Sequence, residues 1–333
     1  QAIQILNSVQ QQLNNISTTI QQEQNKSQYT LSDVNTLQQL SNQIQQIINQ
    51  VANNQITSYL SNYLSNEANT VAQLTQTVQQ QVSGGEQSLT TNLQNALSSG
   101  NLSEAINILN QLKSYTSNTN EIEQAINTIN QVQNLLQQFN TAMIQGQNPQ
   151  LIVNQLSALA NTNNQYLSGL SSYINNIASA FSPNNSSQSV QIQYNQTVAN
   201  DLMNNDYADA IAAAPQYAPY INALAQTPGS TFNNKVNSLL ALLYNNAMAS
   251  YQALKAGDTN AAQQYKAAAQ QYLNLINAIS TITGQNYTQN SSYVDAINAL
   301  NSVTNVIGDA AVAVTPSVLS SGNTTQRAQP QLL

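Results

Sequence analysis

Histidine, cysteine and tryptophan are absent from this 333-residue chain, and charge of either sign is scarce. Six Lys and Arg and 13 Asp and Glu make only 6% of the residues, against about 25% in ordinary soluble proteins. Without cysteine there is no disulfide framework and no thiolate chemistry. Without histidine the commonest general base and zinc ligand are gone. Scattered bases form no phosphate-binding patch, which argues against nucleic acid as a partner. No glycine-rich phosphate loop is present either, so neither a cofactor nor a metal is expected. No apolar run approaches about 18 residues, so no segment reads as a membrane span. The chain opens at Gln1 with no basic-then-apolar leader, which reads as a processed mature chain or a fragment.

What fills the space is Gln, Asn, Ser and Thr. Hydrophobic residues stand at 41%, enough for a sizeable core, and the net charge at pH 7 is −7. Such a surface suits strong acid. Below about pH 3 most carboxylates are protonated, ion pairs vanish and the remaining bases repel one another. Amides and hydroxyls do not titrate. With all acids neutral this chain would carry only its six positive charges. Adaptation to heat alone predicts the opposite composition, rich in Lys and Glu. So few charges predict little ion pairing, carboxylates near their ordinary pKa, and a stability almost flat with pH.

Glycine and proline number only 10 and 7, and one turn containing glycine or its substitute recurs. Leu254-Lys-Ala-Gly257-Asp258-Thr-Asn-Ala-Ala262 aligns with Leu97-Ser-Ser-Gly100-Asn101-Leu-Ser-Glu-Ala105. It also aligns with Leu202-Met-Asn-Asn205-Asp206-Tyr-Ala-Asp-Ala210. A weaker copy is Met143-Ile-Gln-Gly146-Gln147-Asn-Pro-Gln-Leu151. The Leu or Met closes one helix. Gly, or Asn205, sits where a C-cap needs positive φ. Asn101, Asp206 and Asp258 are placed to cap the next helix, and a small Ala lets the two helices approach closely.

Asp206-Tyr207-Ala208-Asp209-Ala210-Ile211 resembles the turn and second helix of a tetratricopeptide unit, and Tyr265 and Ala269 fall near that helix's aromatic and small positions. The resemblance covers about a quarter of the chain and implies antiparallel helical hairpins. The copies depart from the family in starting 46, 59 and 52 residues apart, not the usual ~34. The first-helix signature of that family is missing. By composition the chain resembles secreted, cell-surface or virus structural proteins of thermoacidophilic archaea.

The periodicity predicts an all-α chain with an N-terminal bundle of long, coiled-coil-like helices over 1–181. A linker follows at 182–189, then tetratricopeptide-like hairpins over 190–315 and an extended tail at 316–333. Residues 2–26 carry a heptad seam through Leu6, Val9, Leu13, Ile16 and Ile20. Thr30 and Asp33 form a capping-box signature. A stripe then runs from Leu37 to Val82 with a slip of phase near Asn53–Asn54, where a break is the alternative to one long helix. Ser83-Gly84-Gly85 is expected to end it, with a short helix at 86–99. Pro149 is read as the first residue of a helix running to about Phe181, with a bend at Asn161-Thr-Asn-Asn as the alternative to a straight one. Later helices are expected at 190–204, 207–213, 216–226, 231–256, 259–282 and 292–307.

Carboxylate pairs are the remaining enzymatic option. Glu121 and Glu123 do not share a helix face. Asp206 and Asp209 sit where a cap and a first-turn acid belong. Of the 16 tyrosines, Tyr59, Tyr63, Tyr217, Tyr220, Tyr265 and Tyr272 fall at helical spacing and are read as packing residues. Candidate N-glycosylation acceptors are Asn15, Asn25, Asn101, Asn184, Asn185, Asn195, Asn286, Asn290 and Asn323, a number the composition produces by chance. The functional expectation is a non-enzymatic extracellular structural or assembly protein, a cell-surface or virion component adapted to acid. Its partners would be copies of itself or other surface proteins, with a glycan as a further candidate. The alternative is an extracellular tetratricopeptide-like binding module or adhesin for peptide or glycan.

Overall fold

The computed structural model describes residues 2–53, 58–182 and 190–308. Among these the chain is all-α, 82% helical with 13 helices and no strand. The expected linker and tail, and Asn184, Asn185 and Asn323, fall wholly or almost wholly outside the described residues. The chain divides into two compact units. Unit 1 is Gln1–Ala96 with Asn101–Asn127, and unit 2 is Leu97–Gly100 with Thr128–Leu333. This differs from the sequence-based division at 182–189. Tyr173 and Asn176, before that stretch, bond Asp209 and the Ala212 carbonyl after it, so both sides belong to one unit.

Unit 1 is built on α1 (Ala2–Gln24), α2 (Leu31–Asn53) and α3 (Ser58–Ser98). Their stripes form one core. Val9, Ile16 and Ile20 of α1 meet Leu37, Leu40, Ile44, Ile47 and Val51 of α2 and Leu64, Val71, Val78 and Val82 of α3. The spacings of three, four and seven keep these residues on one face of each helix. Each buried Leu, Ile or Val contributes about 1.5–3 kcal/mol. The Leu31 N–H donates to the Ser114 carbonyl at 2.8 Å, and the adjoining Tyr115 ring lies against Gly85. The start of α2 and Gly85 of α3 therefore both lie beside Ser114–Tyr115.

The helix break expected at Ser83-Gly84-Gly85 does not occur, and α3 passes straight through. Two interior glycines cost a helix about 1 kcal/mol each, but Gly85 has a packing role. A Cβ there would stand 2.7 Å from the Tyr115 ring. The glycine marks a close approach rather than an end.

The chain continues through α4 (Leu102–Leu112), α5 (Thr119–Ile144), α6 (Gln150–Ala160), α7 (Ser168–Ser179), α8 (Gln196–Met203), α9 (Tyr207–Ala213), α10 (Ala218–Gln226), α11 (Phe232–Lys255), α12 (Thr259–Thr283) and α13 (Ser291–Ile307). In unit 2, α11 packs on both α12 and α13, α6 on α7, and α9 on α7 and α8. Three expectations differ from the structure here. The helix expected from Pro149 to about Phe181 is two: it ends at Ala160, and α7 starts at Ser168 after an irregular stretch and the short 3-10 turn Gln165–Leu167. Residues 190–195 precede α8 rather than forming part of it. The Asn195 N–H is bound by the Ile282 carbonyl and its side chain caps α8 at Val198. The Gln193 N–H donates to the Tyr217 hydroxyl. Pro149 is the N-cap of α6 rather than its first residue, and the Asn148 side chain accepts the Gln150 N–H at 2.9 Å.

Candidate functional site

The four recurring turns share one geometry. Gly100, Gly146, Asn205 and Gly257 all have positive φ. At each, that residue's N–H bonds the carbonyl three back, and the next N–H bonds the carbonyl five back, which is a Schellman closure. Asn205 is the one non-glycine with positive φ among the described residues. Asn101, Asp206 and Asp258 then cap α4, α9 and α12 through their side-chain oxygens. Ala105, Ala210 and Ala262 are fully buried. The fourth copy has no capping side chain at Gln147. Its helix starts later, and Leu151 is left 78% exposed.

Two of these turns meet in unit 2, around a cluster of acids. The Tyr173 hydroxyl, buried in α7, donates to Asp209 Oδ1. Asp206 Oδ1 accepts the Asp209 N–H at 3.2 Å and the Asn140 Nδ2–H at 3.1 Å. Asn140, from α5, also accepts the Ala208 N–H at 2.9 Å. Gly100 closes over the pair, since a Cβ there would lie 2.4 Å from the Tyr173 ring and 2.8 Å from Asp209 Oδ1. Glycine is thus required twice at position 100, for its φ of 77° and for this contact.

Burial pushes the Asp209 carboxyl up to about 7. Neighbouring Asp206 and Asp201 add to the rise, and the Tyr173 hydroxyl opposes it. Asp201, on α8, is pushed to about 6 by burial and by Asp206, and its Oδ2 is buried without a partner. Tyr173 is held well above its ordinary range by burial and the adjacent Asp209 charge. Chemically the cluster holds protons that isolated aspartates would have released by pH 5.

Beneath the Gly146 turn lies a second buried charge. Lys235 is 1% exposed. Its ammonium donates to the carbonyls of Ile144, Ala225 and Thr227 at 2.8–2.9 Å, using all three of its protons. These carbonyls end α5 and α10, so one cation sits at the negative ends of two helices. Burial lowers its pKa to about 8. Lys235 lies in the first turn of α11 itself, where a cation opposes the helix dipole. That misplacement was its one signal in the sequence, and sequence reasoning missed it. Tyr173, fully buried, was missed as well.

The remaining candidates are dispersed. At Gly257 no atom lies within 4 Å of where a Cβ would stand. Glu123 pairs with Lys113 at the surface of unit 1. Tyr217 is buried and Tyr63 exposed. Asn15 lies within α1, Asn25 just after it, Asn101, Asn195 and Asn290 cap helices, and Asn286 is in the loop between α12 and α13. Among the described residues no cluster of acids could hold a metal ion, and no helix is long and apolar enough to cross a membrane. The chain matches no protein-family model, no curated protein and no solved structure.

Proposed function

We propose that this chain is a non-enzymatic structural or assembly protein of an acidic exterior, a cell-surface or virion component like those of thermoacidophilic archaea. The observation that carries the reading is the Asp209 cluster. In acid the Asp209 carboxyl is neutral and still accepts from the Tyr173 hydroxyl, so the contact between α7 and α9 is kept where ordinary ion pairs fail. The charge-poor, amide-rich composition supports the same reading, because contacts between copies made by amides and hydroxyls do not titrate. The use made of the acids supports a non-catalytic role: Asp206 is occupied as a cap and Asp209 as the acceptor for Tyr173.

The alternative is an extracellular binding module with tetratricopeptide-like hairpins. The fourfold Schellman turn and the buried alanines that follow three of its copies favour it. Microscopy of native material at pH 2–3 separates the two. Ordered multi-copy assemblies are expected for the structural reading. A persistent monomer in acid that captures a peptide or glycan would replace it with the second.

A further inference from the structure

We infer that, of the acceptors among the described residues, Asn286 is the one the folded chain presents for N-glycosylation. The inference rests on the exterior location proposed above. Sequence alone leaves nine equivalent acceptors; the structure describes six of them and separates those.

Asn286-Tyr287-Thr288 lies in the loop 284–290, outside any helix, with Asn286 and Thr288 exposed. Asn286 Oδ1 accepts both the Thr288 N–H, at 3.0 Å, and the Thr288 Oγ1–H, at 2.7 Å. The motif's hydroxyl is therefore already on the carboxamide it must activate. Two donors on Oδ1 draw electron density away from Nδ2 and ease loss of its proton. The loop is itself well held. Gly284 ends α12 in the left-handed region, the Ser280 hydroxyl donates to the Gln285 carbonyl, and the Asn290 N–H bonds the Tyr287 carbonyl at 2.9 Å.

The other described acceptors are committed elsewhere. Asn15-Ile16-Ser17 is inside α1 with Ile16 in the core, so presenting it requires unwinding the helix. Asn101 is a cap, and Leu102 beside it is buried. Asn195 is half-buried, caps α8 and is tied to Ile282. Asn290 spends its Oδ1 on the N–H groups of Ser292 and Tyr293 at the start of α13. Asn25 is exposed, but Lys26, the middle residue of its motif, is locked to Glu23 and Asp33.

The reaction uses a polyprenyl-diphosphate-linked oligosaccharide. A bond forms between Asn286 Nδ2 and the sugar C1. The C1–O bond to the diphosphate breaks, the diphosphate leaves with the electron pair, and Nδ2 gives one proton to the transferase's base. The test supplies full-length folded chain, and the same chain denatured, with a single-subunit oligosaccharyltransferase and that donor. Modified peptides are then mapped by mass spectrometry. In the folded chain Asn286 is expected to be modified at least tenfold faster than Asn15, Asn25, Asn101, Asn195 or Asn290. That preference should disappear on denaturation. Thr288→Ala should abolish modification at Asn286, and Thr288→Ser should restore it. Modification of the folded chain at another of these positions first, or equal rates folded and denatured, overturns the inference. Native material tests the location separately. A native chain without glycan, beside selective modification of Asn286 in vitro, removes the exterior reading and leaves the acceptor assignment standing.

Discussion

Unit 1 and unit 2 handle buried charge in opposite ways. In unit 1, Lys26 stands between Glu23 and Asp33, both about 95% buried. Its ammonium donates to Glu23 Oε1 at 2.8 Å and to Asp33, and Thr30 adds its own N–H to Asp33 at 2.6 Å. The Asp33 carboxyl is held below its ordinary value: burial would raise it, but Lys26 and Thr30 outweigh burial. In unit 2, Lys235 has only carbonyl dipoles around it, and Asp209 has like-charged neighbours and a tyrosine. Opposite charges make a site that prefers to be ionised. Dipoles and like charges make one that prefers to be neutral. The charge-poor sequence therefore does not give a stability flat with pH, as the composition suggested. It gives local contributions of opposite sign.

The largest effect is expected at Lys235. Lys235→Met keeps the length of the side chain but leaves three buried carbonyls at the ends of α5 and α10 without a donor. Each such loss costs about 1–3 kcal/mol, so a total loss of about 3 kcal/mol or more is expected. Because the native pKa is about 8, the ammonium is charged at both pH 3 and pH 7, and the loss should be the same at both. Chemical denaturation read through amide exchange in α10 and α11 measures it. A neutral outcome would mean that the helix ends relax onto water, and the contrast between the units would lose its strongest member.

How much of this was legible follows from what each feature depends on. The helices of unit 1 were visible because their stripes repeat every three or four residues. The turns at Gly100, Asn205 and Gly257 were visible because a left-handed residue followed by a capping Asn or Asp is a local code. Gly85 was misread because its purpose lies 30 positions away at Tyr115, and local pattern cannot distinguish a helix end from a close contact. Residues 190–195 were misread for a related reason: the pull of Ile282 and Tyr217 on their backbone is long-range. The groups around Asp209 come from α7 and α8, and Asn140 of α5 reaches it only through Asp206, so a first-turn acid was all the sequence displayed. Lys235 showed only as a cation at the wrong end of its helix.

The second prediction sharpens the proton-holding side of the comparison. Asp209 has a native carboxyl near 7 against about 3.9 unfolded. The folded state therefore binds more protons between those values. Its contribution is fully present below about pH 4 and is lost as pH rises through 7. Asp209→Asn keeps the oxygen that accepts from Tyr173 and removes the titration. At pH 8 the variant should be more stable than the parent by about 2 kcal/mol, after a discount for the site's partial exposure. At pH 3 the two should coincide. Amide exchange in α9 across this range tests it, and a parent protein whose α9 protection rises between pH 4 and 8 would reverse the assignment.

The smallest effect belongs to the ion-paired site in unit 1, and its sign is the reverse. Asp33 is depressed in the fold, so its contribution is present above its ordinary pKa of about 3.9 and fades as pH falls through the native value. Lys26 itself is raised, through its bonds to Asp33 and then Glu23, and stays charged throughout this range. Lys26→Met should therefore cost unit 1 about 1 kcal/mol at pH 7, a modest figure because the outer side of the ammonium is open to solvent. As acid titrates the Asp33 carboxyl the pairing is lost in the parent too, and the difference should shrink toward pH 2. Thr30 would still hold Asp33 at the start of α2, so the turn between α1 and α2 should persist. Exchange protection at the first turn of α2, followed from pH 7 to pH 2, reads this directly. A loss of equal size at both ends of the range would show that Lys26 acts by packing its aliphatic stem. Unit 1 would then owe its pH response to Asp33 and Thr30 alone.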